Sequence, residues 1–178
     1  MNYYSLLSFF ASIFYAGLGI WVFSANKKGT PNRLFLFLSS CLFFWSFGNT
    51  FIYPETNRKM LEIWVRVAAP GWCIFPSLAI HFALLLTKRV RFKSFHIMYL
   101  FIYFPACFFT ILAFLGKITP IDFINIAGNT YEIRNHNSLL GILYLFYNFS
   151  FMVTTLLICL IWRTKYANLV EKKRSYSL

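Results

Sequence analysis

The residues that could do chemistry in this chain gather in one stretch. Residues 61–87, LEIWVRVAAPGWCIFPSLAIHFALLLT, form an apolar run that nonetheless carries Arg66, His81, Pro70-Gly71 and Pro76. The run is long enough to cross a bilayer, for which about 20 apolar residues suffice. Wound at 100° per residue, Cys73 and Ser77 each fall about 20° from Arg66, with Glu62 and His81 at the margins of the same stripe. A cation inside such a span must be buried among protein groups, open to water, or snorkel to the interface. Each proline removes or weakens a backbone hydrogen bond, so the helix is expected to kink and to pack against neighbours that satisfy the freed carbonyls. The stretch therefore reads as the wall of a small cavity facing the outside. The plainer alternative is a structural kink, with Arg66 at the interface and His81 bonded to a neighbouring backbone.

The chemistry available to such a wall is recognition. Arg66 would hold an anionic or carbonyl group, and Trp64, Trp72 and Trp45 would form aromatic walls. Asn49, His81 and Asn148 complete the candidate ligand or signalling pocket. Asn49 alternatively makes an interhelical hydrogen bond. Reaction chemistry lacks its usual marks, with no phosphate-cradling glycine loop, no HExxH, no nucleophile elbow and no close pair of carboxylates within a span. Glu62 stands at i, i+4 from Arg66 and reads as its ion-pair partner before it reads as an acid catalyst. Cys41, Cys73, Cys107 and Cys159 lie in apolar runs without a CxxC or a nearby histidine pair. No catalytic residue, cofactor, metal site or disulfide framework is expected.

The elements that must position these residues follow from composition. The 178 residues are 59% hydrophobic and 22% aromatic, with only 12% charged, which marks a multi-pass membrane protein. A net charge of +12 does not indicate nucleic acid, because the basic residues sit in short blocks between apolar runs. Five runs are expected to be helices, at about 5–25, 34–53, 61–87, 96–116 and 139–162, making one all-α transmembrane domain over 1–178. Gly48 in the second run should let a neighbouring helix come close. Pro105 marks a second kink, in the fourth run. Tyr144, Asn148, Thr155 and Cys159 share one face of the fifth, available to meet the third. The loop 117–138 alternates well enough to suggest a short extracellular β-hairpin with its turn near 127–130. The first run begins without a positive region, which argues against a cleaved signal peptide.

Charge sets the expected orientation. The blocks NKKGTPNR and KRVRFK and the tail 163–178 carry three, four and five basic residues. With the amino terminus outside, all three lie inside, leaving Arg58, Lys59, Arg66, Lys117 and Arg134 on the outer side, as the positive-inside rule requires. The carboxyl-terminal tail should then lie in the cytoplasm, on the anionic inner leaflet.

The second and third runs carry a family resemblance. CLFFWSFGNTFIY, a short loop and IWVRVAAPGWCIFPSLAIHFALLLTKR resemble the amino-terminal seven-helix sensor region of bacterial histidine kinases, which is also fused in some proteins to diguanylate cyclase domains. The matching features are Trp45 and Gly48 in the second helix, then Trp64 and Arg66, Gly71, Pro76 and the ending from Phe82 to Thr87 in the third. The resemblance implies a sensory module in the bacterial cytoplasmic membrane that works as a homodimer or with a partner signalling protein. It also implies two further helices and a cytoplasmic transmitter, whereas this sequence stops at Leu178. A truncated head or a free-standing relative fits that departure, and kinase activity is not assigned to these residues.

The leading expectation is thus a signal-input module in the lipid bilayer, taking a small-molecule or peptide ligand from outside and no nucleic acid. Its rival is a small accessory or interaction protein that associates through a small-residue seam, such as Ala16, Gly17 and Gly19. A transporter fragment is a third reading. The scarcity of buried acids and the absence of an internal repeat weigh against it.

Overall fold

Each apolar run folds as a helix, because in hydrocarbon a single segment can satisfy its own backbone groups only that way. In the computed structural model the backbone is described for residues 3–87, 96–118, 121–126, 129–134 and 139–175, and side chains for 3–87, 98–118 and 139–164. The helices are α1 (Tyr3–Ala25), α2 (Thr30–Ile52), α3 (Arg58–Leu86), α4 (His96–Phe114) and α5 (Leu139–Ser175). By length and composition α1, α2, α3 and residues 139–164 of α5 could each cross a membrane, while α4 is a shorter apolar helix. Between α4 and α5, β1 (Ile121–Ile126) pairs antiparallel with β2 (Asn129–Arg134), Ile126 facing Asn129. Residues 127 and 128 of the expected turn, and the basic block at 88–93, lie outside the described residues.

Several ends differ from the apolar limits. The start of α3 moves out to Arg58 because Asn57 caps it, its side chain accepting a hydrogen bond from the Lys59 N–H. α2 starts at Thr30 with Pro31 in its first turn, where the missing N–H matters least. α4 stops where Gly116 takes φ +69° and the Lys117 N–H reaches back to the Leu112 carbonyl, the pattern of a Schellman cap. α5 runs on to Ser175, past the expected end near Trp162, since Ala, Leu, Glu, Lys and Arg in that stretch favour helix.

α3 is the central element. In its spanning window 56% of residues are buried, against 6% in α5 and 11% in α1. α1 packs on α2, α2 on α3, and α3 on both α4 and α5. Glycines make the α2–α3 seam close, as expected of Gly48: a Cβ added there would lie 2.6 Å from the Cβ of Ala68, and one added at Gly71 would meet the α2 backbone at Cys41 and Trp45. α1 turns Ser5, Ser12 and Gly19 toward α2, one residue in seven, and the Ser5 hydroxyl donates to the Thr50 carbonyl at 2.6 Å. The proposed seam of Ala16, Gly17 and Gly19 is thereby split. Gly19 is buried against Ser39, whereas Gly17, 200° around the helix from it, faces open space.

Candidate functional site

Pro76 has no N–H, so the carbonyl of Trp72 one turn earlier loses its helical donor. α3 nonetheless continues as one helix through Pro70 and Pro76. Its neighbour supplies that donor and a second one beside it. The Tyr144 hydroxyl of α5 donates to the Trp72 carbonyl at 3.4 Å, and the Tyr147 hydroxyl donates to the Cys73 carbonyl at 2.9 Å. Beside them the Ser77 hydroxyl lies 2.6 Å from the Ile102 carbonyl of α4 and 2.8 Å from the Tyr147 hydroxyl. Cys73 and Ser77 are fully buried. Three helices are thus tied together around one proline.

The tie has more contacts than protons. Each hydroxyl donates one. With Tyr147 engaged at Cys73, Ser77 points either at Ile102 or at Tyr147, which gives the junction two hydrogen-bond arrangements of similar geometry.

Next to the junction a cavity of about 260 Å³ opens between α2, α3 and α5. Trp45, Trp72, Phe75, Tyr144, Asn148 and Met152 are among its lining residues. The Trp72 and Tyr144 rings meet edge to face at 5.1 Å. Asn148 donates from its side-chain nitrogen to the Tyr144 carbonyl at 3.3 Å and brings an amide to an otherwise aromatic and aliphatic wall. Such a lining suits a small neutral or weakly polar molecule, held by ring faces and oriented by one amide.

The cavity brings together Trp45, Trp72 and Asn148 from the residues that the sequence singled out, and leaves the others elsewhere. Arg66 is exposed in a separate groove of about 390 Å³, with Phe44, Ile63, Val67, Pro70 and Phe114. The expected Glu62–Arg66 pair is not formed. Glu62 instead meets Arg58 at 3.5 Å, one turn toward the helix start, where both side chains are well exposed. Trp64 stacks on Phe51 of α2, ring centres 4.1 Å apart and 13° from parallel, and braces the α2–α3 seam. Asn49 is half-buried on α2 and lines neither cavity. His81 reaches the Tyr103 hydroxyl of α4 at 2.7 Å and packs on the Tyr99 ring, so its partner is a side chain rather than the backbone.

The polar stripe of the third run therefore divides. Arg66 shares a helix face with Cys73 and Ser77, yet it is exposed and they are buried, because α5 packs against α3 at the level of the latter. The α5 stripe fades likewise, from buried Tyr144 through partly covered Asn148 and Thr155 to exposed Cys159. Tyr147 is the junction residue that sequence reading missed. A hydroxyl three residues from Tyr144, on a helix facing a proline, was the available signal.

A family model described as the N-terminal 7TM region of histidine kinase matches residues 7–177. No curated protein and no solved structure matches the chain.

Proposed function

We propose, because the chain belongs to the family of N-terminal seven-transmembrane regions of histidine kinases, that it is the signal-input module of such a kinase and that its ligand site is the α2–α3–α5 cavity. The matched family is a membrane region rather than a catalytic domain, so the chain's task is to pass a change in packing onward. The observation that carries this reading is the double use of Tyr144, whose side chain lines the cavity and whose hydroxyl donates to the Trp72 carbonyl, one turn before Pro76.

A ligand that displaces the Tyr144 ring, or bonds its hydroxyl, weakens one of the ties between α3 and α5. The remaining ties at Tyr147 and Ser77 then re-partition between their two arrangements, and α5 shifts against α3. α5 is also the helix that continues furthest, to Ser175, and so would carry the shift toward the output. The ligand can move this equilibrium only by its differential affinity for the two packings, about 1.4 kcal/mol for each tenfold change in their ratio. The positive blocks support an amino terminus outside and basic loops inside a bacterial cytoplasmic membrane. As in the resemblance, the module acts as a homodimer or with a partner signalling protein.

A kinase carrying this region ahead of its transmitter tests the reading. Tyr144→Phe keeps the ring and removes the donor. It should change basal autophosphorylation several-fold with membrane insertion unaltered, whereas Cys159→Ser on the exposed side of α5 should leave the rate alone. Autophosphorylation equal to the parent's in Tyr144→Phe rejects the coupling.

A further inference from the structure

We propose that the groove beside Arg66 binds one anionic phospholipid, with the phosphate on the guanidinium and an acyl chain along the apolar floor. This site is separate from the α2–α3–α5 cavity and stands whether or not that cavity takes a signal.

Charge is the first observation. Arg66 is exposed, and no hydrogen-bond or ion-pair partner for it occurs among the described residues, since Glu62 is engaged with Arg58. The rest of the groove lining is Phe44, Ile63, Val67, Pro70 and Phe114, none of which carries a polar side chain. One cation on an apolar groove complements an amphiphile with one anionic group and a hydrocarbon chain. A polar peptide or a nucleotide would leave its own donors and acceptors unpaired there.

Depth is the second. α4 has 19 residues, about 28 Å at 1.5 Å per residue, which matches a hydrocarbon core of about 30 Å. With α4 taken across that core, its last residue, Phe114, lies at one boundary, and Phe114 lines the same groove as Arg66. From that level the guanidinium reaches the phosphate layer by snorkelling.

Access is the third. Phe44, Ile63 and Phe114 are 45%, 50% and 47% exposed, so the groove opens sideways to the surroundings of the bundle. A chain can enter from the bilayer. An arginine fork engages two phosphate oxygens at once, and a net negative headgroup is favoured over a zwitterionic one because no choline competes for the phosphate.

The test uses the full chain in nanodiscs with trace phospholipids carrying a photoactivatable diazirine in one acyl chain, either phosphatidylglycerol or phosphatidylcholine, and maps labelled residues by mass spectrometry. The phosphatidylglycerol probe should label Phe44, Val67 or Phe114 at least several-fold more than the phosphatidylcholine probe. Arg66→Gln should bring the two probes level, Arg66→Lys should keep part of the preference, and Arg58→Gln should keep all of it. Circular dichroism checks that each variant is helical. Equal labelling by the two probes in the parent, or a preference that survives Arg66→Gln, overturns the proposal and leaves bulk lipid in the groove. Absence of label from these residues also overturns it, because another protein segment then covers them.

Discussion

At Gly71 the backbones of α2 and α3 touch. A Cβ added there would lie 2.8 Å from the Trp45 amide nitrogen and against the Cys41 carbonyl, and backbone atoms cannot swing aside as a long side chain can. Gly71→Ala should push the two helices apart and destabilise the bundle by about 1–3 kcal/mol, the usual range for overpacking. Gly17→Ala, with nothing within 4 Å of the added carbon, should be close to neutral. The midpoint of unfolding in a dodecyl sulfate titration separates the two, and equal midpoints would show that the α2–α3 seam is slack. At this scale the sequence was legible where a residue's task is steric. Gly48 was expected to admit a neighbour and does. It was less legible where the task depends on who the neighbour is: Glu62 has a cation one turn to either side, at Arg58 and Arg66, and spacing alone does not choose between them.

A proline in the middle of a transmembrane helix creates a demand, and the partner helix answers it. That division makes α3 and α5 interdependent, and it gives a prediction about pairs of substitutions. Pro76→Ala restores an N–H for the Trp72 carbonyl, so the Tyr144 hydroxyl becomes redundant there. Tyr144→Phe should therefore lower stability less in the Pro76→Ala background than in the parent. With interhelical hydrogen bonds in membranes worth about 0.5–2 kcal/mol, the difference should be a measurable part of that range. Identical losses in both backgrounds would mean that Tyr144 does not serve the proline. The sequence showed the demand, since Pro70 and Pro76 predict freed carbonyls. It did not show which helix answers. Periodicity gives the angle of Tyr144, Tyr147 and Asn148 around α5, but the height at which α5 crosses α3 is a tertiary property, and it is this height that buries Tyr147 and leaves Cys159 outside. The same limit explains Arg66, whose angle around α3 matches that of Cys73 while its surroundings do not.

Among the described residues the helices pack in succession, α1 on α2 and α2 on α3, with α4 and α5 both against α3. Hydropathy made the helices legible because each run must close its own backbone bonds. Charge carries the expected sidedness: green fluorescent protein fused just after Lys28 should fluoresce, and alkaline phosphatase inserted between Lys117 and Leu139 should be active, while the reverse pattern would invert the bundle. This packing also sets unequal lengths side by side. α3 has 29 residues, about 43 Å, and packs along α4, which has 19, about 28 Å. A bilayer that fits α4 leaves α3 overlong, so α3 must tilt or emerge, and a thinner bilayer increases the mismatch at modest cost per ångström. Membrane thickness should then bear on the tilt of the helix that carries Pro76, and the angle of α3 measured in bilayers of short and long acyl chains checks it.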